Sequence, residues 1–253
     1  MIGLNDMSLR NLAKQYPVLT AFTCAALQFA LTFLILMAGK KFAPAEAYGK
    51  VKLLAFSSTV IFPLLLTHVF GMWREIGFGL DKLKPSPFFL ACLLPVLMFA
   101  SMGVRLPEHG GVRGDLLIQL FNAFGEELLF RGVIFVILLS LPQWKAILIN
   151  GVLFGSMHLM RGYMDGNWGH AFVWAFMSAM AGMMFAAARY RVSSLWLLVF
   201  LHMILNLSSM YSNIETVAGP DVKRMMDWAT KAVELGLGLY VMWQGSRRQA
   251  LAA

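Results

Sequence analysis

Charged residues are scarce in this sequence. Only 13% of its 253 residues are charged and 59% are hydrophobic, whereas soluble domains usually carry roughly 25% charged residues. No stretch has the polar composition of a separate soluble domain. A clustered basic face is also missing despite a formal net charge of +8, so we predict no nucleic-acid partner. The scattered basic residues instead favour contact with the anionic headgroups of a lipid bilayer.

Cysteine is nearly absent as well. Cys24 and Cys92 lie in separate apolar stretches, and there is no Cys-x-x-Cys. We interpret both as inert core thiols that say little about the compartment. The His-Glu-x-x-His pattern of zinc peptidases is also missing, and there is no internal repeat or low-complexity segment.

Long apolar runs are what the sequence does contain. They predict an all-α fold, a polytopic transmembrane helix bundle of about eight spans, organised as a single integral membrane domain over residues 1–253. The predicted spans are 17–38, 53–73, 88–104, 116–141, 144–160, 171–188, 192–210 and 228–243. Lys231 and Glu234 interrupt the last of these spans. Residues 1–16 favour a short interfacial helix.

The compartment is an expectation from the whole chain. Lys and Arg are almost evenly divided between the two sides of the eight-span arrangement, so the positive-inside rule leaves the orientation undecided. A small chain without organelle signals favours an integral protein of a prokaryotic cytoplasmic (inner) membrane.

Residues 161–170 are interpreted as an ordinary interfacial loop rather than a gate, and His109 and His170 are assigned no role.

Two adjacent carboxylates interrupt the fourth apolar run. Glu126, Glu127 and Arg131 are the only charges between residues 116 and 141, and an ionised group at such a depth costs at least ~2.5–3.5 kcal/mol. Glu127 and Arg131 are four residues apart and can pair on one helix face, whereas Glu126 is rotated by about 100°. We therefore expect Glu127 to be neutralised by its partner and Glu126 to be free for chemistry.

Three further polar side chains lie in apolar helices. His158 ends the fifth predicted span one helical turn after Phe154, and His202 and Asn206 lie side by side in the seventh. Each would be costly facing lipid, so each should face the interior of the bundle.

Together with Glu126, these groups suit peptide-bond hydrolysis. A base must take a proton from water, and hydrogen-bond donors must receive the charge that develops on the carbonyl oxygen. We predict that Glu126 is the general base, that His158 holds or helps to activate the water, and that His202 and Asn206 form the oxyanion hole. Glu127, Arg131 and Phe154 are predicted to support them.

Three motifs follow one another on successive apolar helices and resemble those of the CPBP family. They are Glu126-Glu127-x-x-x-Arg131, Phe154-x-x-x-His158 and His202-x-x-x-Asn206. This family comprises the CAAX proteases and bacteriocin-processing enzymes, also called the Abi family. The resemblance covers about residues 115–212, the predicted catalytic core. It implies a glutamic-type intramembrane endopeptidase that cuts membrane-bound peptides or proteins near their C-termini, and it supports the roles given above.

Several alternatives stay open. Two His and a Glu can bind zinc, but an Asn in place of a further strong ligand favours hydrogen bonding. We therefore predict no cofactor and no metal, with zinc as the alternative. A proton-coupled transporter would also contain buried ionisable groups, although the inverted repeats typical of transporters are missing. A haem or quinone protein and a non-catalytic membrane scaffold are the other candidates. We expect peptide maturation or protein sorting rather than processing of prenylated substrates.

Overall fold

The structure, a computed structural model, describes residues 9–106 and 111–252. This part of the chain is helical and contains no strand, only an isolated antiparallel bridge between Val104 and Ser212. The predicted all-α fold is therefore confirmed. The α-helices, in chain order, are α1 (Leu9–Gln15), α2 (Pro17–Phe42), α3 (Tyr48–Val69), α4 (Trp73–Ile76), α5 (Pro87–Ala91), α6 (Leu94–Ala100), α7 (Val112–Glu127), α8 (Phe135–Leu138), α9 (Gln143–Met157), α10 (Met160–Asp165), α11 (Trp168–Arg191), α12 (Leu195–Met210), α13 (Ile214–Ala218) and α14 (Pro220–Ala252). Two 3₁₀ turns, Ala45–Ala47 and Leu80–Lys82, and a π-helical segment, Leu128–Ile134, lie between them.

Several helices are long and apolar enough to cross a membrane, as expected for an integral membrane protein. Within the described residues these are Pro17–Phe42, Gly49–Val69 and Trp168–Arg191, and the pair Trp73–Lys82 and Pro87–Ala100 adds a fourth if it counts as one span bent by 86°. The predicted count of about eight spans is not confirmed.

The predicted third span, residues 88–104, is broken in the structure. Helix α5 ends at Ala91 and α6 begins at Leu94. Pro95 lies in the first turn of α6, where its missing N–H is tolerated at a helix start but cannot continue the preceding helix. The proline therefore explains why one apolar run gives two short helices.

Charged residues are also accommodated in the C-terminal helix. The predicted eighth span, residues 228–243, lies within α14, which is 33 residues long. The ammonium of Lys231 lies 2.7 Å from Oε2 of Glu234, and Glu234 is fully buried. At the other end of the chain, α1 forms part of the predicted N-terminal helix, whose residues 1–8 lie outside the described residues.

The expectation of an ordinary loop over residues 161–170 is wrong. Helix α10 occupies Met160–Asp165, and α11 begins at Trp168. Gly166, with φ of +73°, ends α10 in the left-handed region that suits glycine. The Asn167 side chain then accepts a hydrogen bond from the backbone N–H of His170 at 3.0 Å and caps α11. The two helices are thus joined by two residues with strong capping chemistry.

The helix that carries the carboxylates changes from α to π geometry directly after them. In the segment Leu128–Ile134 the hydrogen bonds widen, so that the N–H of Phe135 reaches the carbonyl of Phe130. Other helices bind carbonyls of this segment: Asn150 donates to the Phe130 oxygen at 2.7 Å and Arg189 to the Arg131 oxygen at 3.2 Å. These bonds hold the π turn in place behind the carboxylates.

Close helix packing positions α9, whose C-terminal end carries His158. Gly151 and Gly155 of α9 face α11, where a Cβ atom on Gly155 would lie 2.7 Å from Cβ of Ala179 and closer still to the Ala175 carbonyl. Two glycines one turn apart allow the helix backbones to approach, as in many membrane helix pairs.

Candidate active site

Glu126 and Glu127, the last two residues of α7, have contrasting surroundings. The Glu127 side chain is fully buried, whereas that of Glu126 is 25% exposed. Because successive helical residues are rotated by about 100°, one carboxylate faces the core and the other faces open space.

The predicted ion pair is present in the core. Nη1 of Arg131 lies 3.2 Å from Oε1 of Glu127, and neither side chain is exposed. The guanidinium also donates to the Gly182 carbonyl at 3.2 Å and lies 4.4 Å from the ring centroid of Phe154. Phe154, predicted as a support, thus contacts the arginine rather than only preceding His158.

Glu127 has a second partner that sequence reasoning missed. Its Oε1 lies 2.8 Å from Nδ1 of His202, and because a carboxylate only accepts, this nitrogen carries the proton and donates. The other ring nitrogen, Nε2, lies 3.7 Å from Oε2 of Glu126. His202 therefore lies between the two carboxylates, and Arg131, Glu127 and His202 form one connected buried group.

Asn206 lies one turn beyond His202 on α12 and is held by Gln119, which the sequence interpretation did not single out. Nδ2 of Asn206 donates to Oε1 of Gln119 at 2.9 Å. Further along the same two helices, the Tyr211 hydroxyl donates to Asp115 at 2.6 Å, and this hydrogen bond raises the pKa of Tyr211 to about 12. The spacing Asp115, Gln119, Glu126 on one face of α7 was the available signal for this polar contact with α12.

A cavity of about 810 Å³ opens beside Glu126. Its walls include Glu126, Phe154 and His158, together with α2 and α3 residues on the N-terminal side, and most of the lining is apolar. Nδ1 of His158 lies 3.1 Å from the Phe154 carbonyl and donates to it. This bond fixes the orientation of the ring and leaves Nε2 for other partners.

The cavity does not contain every predicted site residue. Glu126 and His158 line it, whereas His202 and Asn206 are outside the lining. His202 is nevertheless linked to the cavity because it faces the Glu126 carboxylate. The structure thus brings Glu126, His158 and His202 to one region. Asn206 lies one turn beyond His202 on α12.

Within residues 9–106 and 111–252, no group of three or more His, Cys, Asp and Glu side chains is arranged to hold a metal ion. Of the two histidines left without a role, His170 lies in the first turn of α11, and His109 lies outside the described residues.

A protein-family model matches part of the chain. Residues 114–208 match the model described as type II CAAX prenyl endopeptidase Rce1-like. This segment is Rce1-like. The match confirms the resemblance to CAAX proteases and the prediction of a peptide hydrolase, and it fits a membrane-associated protein as substrate. No curated protein sequence matches the chain.

The Rce1-like segment contains all of the predicted site residues and begins close to the start of α7. Helices α2 and α3, which supply the other wall of the cavity, precede it. The matched segment therefore provides the carboxylates and histidines but only part of the space beside them.

Proposed function

We propose that this chain is an intramembrane endopeptidase in which Glu126 is the general base on water. The observation that carries the proposal is the position of Glu126: a partly exposed carboxylate in a largely apolar cavity, beside His202, within an Rce1-like segment. A carboxylate is unfavourable in apolar surroundings, so one at a cavity wall whose only ion-pair contact among the described residues is a histidine favours a functional role.

The neighbouring charges support this division of roles. Arg131 pairs with Glu127, and among the residues that the structure describes no arginine or lysine forms an ion pair with Glu126. Glu126 then takes a proton from water as the water oxygen bonds to the carbonyl carbon of the substrate. The proton passes to the leaving nitrogen as the carbon–nitrogen bond breaks. His158, held by the Phe154 carbonyl, orients the water from the adjacent wall of the cavity.

Asn206 and His202 stabilise the oxyanion. Gln119 accepts from one amide proton of Asn206 and leaves the second for the substrate oxygen. His202 donates to Glu127 through Nδ1, so its Nε2 is a second donor only when the ring is protonated. Glu127 and Gln119 thus act as positioning residues for the two oxyanion donors.

The substrate class follows from the cavity and the membrane setting. Largely apolar walls suit a segment that arrives from the bilayer, and the proposed substrates are membrane-anchored peptides or proteins in maturation or sorting. The proposed location is a prokaryotic cytoplasmic membrane, where prenylated CAAX partners are not expected.

A comparison of cellular peptides tests the proposal. Membranes from cells with the wild-type chain should accumulate cleavage fragments that are missing with Glu126→Ala. Glu215→Ala, which changes an exposed carboxylate in α13, is the matched control and should behave like the wild type. Identical fragments from wild type and Glu126→Ala would contradict proteolysis. A transporter or a scaffold would give this result.

The proposed mechanism uses no metal. The purified enzyme should keep its activity in excess EDTA, because a carboxylate base and amide donors supply the required chemistry. The measurement is the rate of peptide cleavage before and after chelation. Inactivation by EDTA that zinc reverses would replace this mechanism by a metal-dependent one.

A further inference from the structure

The N-terminal wall of the cavity contains an unusual polar pair. Gln28 and Thr32 lie one turn apart on the spanning helix α2, and both line the cavity that contains Glu126. Only 1% of Gln28 is exposed. A polar side chain inside a membrane helix is unfavourable without partners and often marks a functional position.

The amide of Gln28 is only partly satisfied. Its nitrogen donates to Thr32 Oγ1 at 2.8 Å and to Ser58 Oγ at 3.4 Å. The Ser58 proton is already used, since it binds the Ala55 carbonyl at 2.7 Å. Oε1 of Gln28 is buried and has no hydrogen-bond partner among the residues that the structure describes. One buried acceptor is thus left without a partner on a residue that lines the cavity.

Thr32 leaves a donor in the same place. Thr20 and Thr23, on the same helix, each donate their hydroxyl proton to the carbonyl four residues earlier at 2.9 Å. Thr32 instead accepts from Gln28, and within the described residues its own proton has no acceptor. The two cavity-lining residues thus have one unused acceptor and one unused donor between them, one helical turn apart.

We propose that Gln28 and Thr32 bind the main chain of the peptide substrate. Oε1 of Gln28 accepts a backbone N–H of the substrate, and the Thr32 hydroxyl donates to a backbone carbonyl. An extended peptide presents this combination of donor and acceptor at every residue, so the contact holds the strand without reading its sequence. The inference rests on the proposed endopeptidase function and adds a binding site on α2, outside the Rce1-like segment.

Steady-state kinetics of the full chain in detergent tests this site. The probe is a quenched-fluorescence peptide selected by the wild-type enzyme from a random library. Thr32→Val and Gln28→Leu should each raise KM by about three- to tenfold, as for one lost hydrogen bond. The kcat should be nearly unchanged, because the bond is present in both the bound substrate and the transition state. Thr32→Ser should restore the KM, and Thr23→Val should match the wild type.

A modified substrate identifies the bond itself. Methylation of the one backbone nitrogen that faces Gln28 should raise KM for the wild type and have no further effect with Gln28→Leu. If Gln28→Leu does not fold, the isosteric Thr32→Val decides alone. Cleavage that depends on Glu126 but has an unchanged KM in both variants overturns this inference and leaves the protease intact. If no library peptide is cleaved in a Glu126-dependent way, the proposed function itself fails.

Discussion

At the scale of single residues, the same substitution should destabilise the protein strongly at Glu127 and hardly at all at Glu126. Glu127→Gln leaves the buried charge of Arg131 without its carboxylate, which typically costs about 3–5 kcal/mol. Glu126 is partly exposed and has no arginine or lysine partner within the described part of the chain, so Glu126→Gln should change stability by less than about 0.5 kcal/mol. Thermal unfolding in detergent measures the difference. Equal loss of stability in both variants would contradict the division into a structural and a free carboxylate.

Gln119 gives a second prediction at this scale. Gln119→Met removes the acceptor that holds Asn206, so kcat should fall by about ten- to a hundredfold at nearly constant KM. This fall in kcat is somewhat smaller than the one that follows removal of a whole oxyanion donor. Gln119→Glu keeps an acceptor and should retain most of the activity.

The control for Gln119 is a double-mutant cycle. With Asn206→Ala already present, Gln119→Met should have little further effect, because both changes remove the same interaction. Gln143→Met, which removes a hydrogen bond to the Val241 carbonyl between α9 and α14, should leave kcat unchanged. Independent, additive losses from Gln119 and Asn206 would show that Gln119 does not act through Asn206.

The sequence predicts contacts within a helix better than contacts between helices. The spacing of Glu127 and Arg131 was sufficient to predict their ion pair, which the structure contains. The bond from His202 to Glu127 joins residues 75 apart, and helical periodicity does not tell which face of α12 meets which face of α7. The spacing of Gln119 and Glu126 places both on one face of α7, but it does not identify Asn206 as the partner of Gln119.

At the scale of helices, the glycines of α9 give a test with an internal control. Gly155→Ala places a Cβ against the backbone of α11, which should push the helices apart and displace His158. We expect a loss of about 1–3 kcal/mol, as in other overpacked sites, together with reduced cleavage.

Gly236 in α14 is the matched control, because a Cβ there meets nothing within 4 Å. Gly236→Ala should stabilise the protein by about 0.5–1 kcal/mol through its helix propensity and leave the cleavage rate unchanged. Thermal unfolding and peptide cleavage report both effects. A Gly155→Ala variant as stable and active as the wild type would show that this close approach is not required.

Apolar runs predicted where helices occur but not how they break. Pro95 divides the predicted third span, and the π segment Leu128–Ile134 interrupts the fourth. Hydropathy does not distinguish π from α geometry, because the π turn depends on bonds from Asn150 and Arg189 on other helices. Helix α10 was missed because it is only six residues long and contains Gly162 and Asp165, which are typical of loops.

At the scale of the whole molecule, the cavity combines two parts of the chain. The Rce1-like segment supplies Glu126 and His158, and α2 supplies Gln28 and Thr32. The motifs predicted the first part, whereas the N-terminal helices resembled generic spans in sequence. Their position beside the Glu126 cavity becomes visible only in the folded structure.

The central claim is that Glu126 activates the water that cleaves the substrate. The most direct measurement is single-turnover cleavage of a membrane-anchored peptide by the purified chain in liposomes, with Glu126→Gln and Glu215→Gln compared with the wild type. The account predicts that Glu126→Gln loses at least about a thousandfold in rate while remaining folded, and that Glu215→Gln cleaves like the wild type. Cleavage by folded Glu126→Gln at the wild-type rate would contradict it.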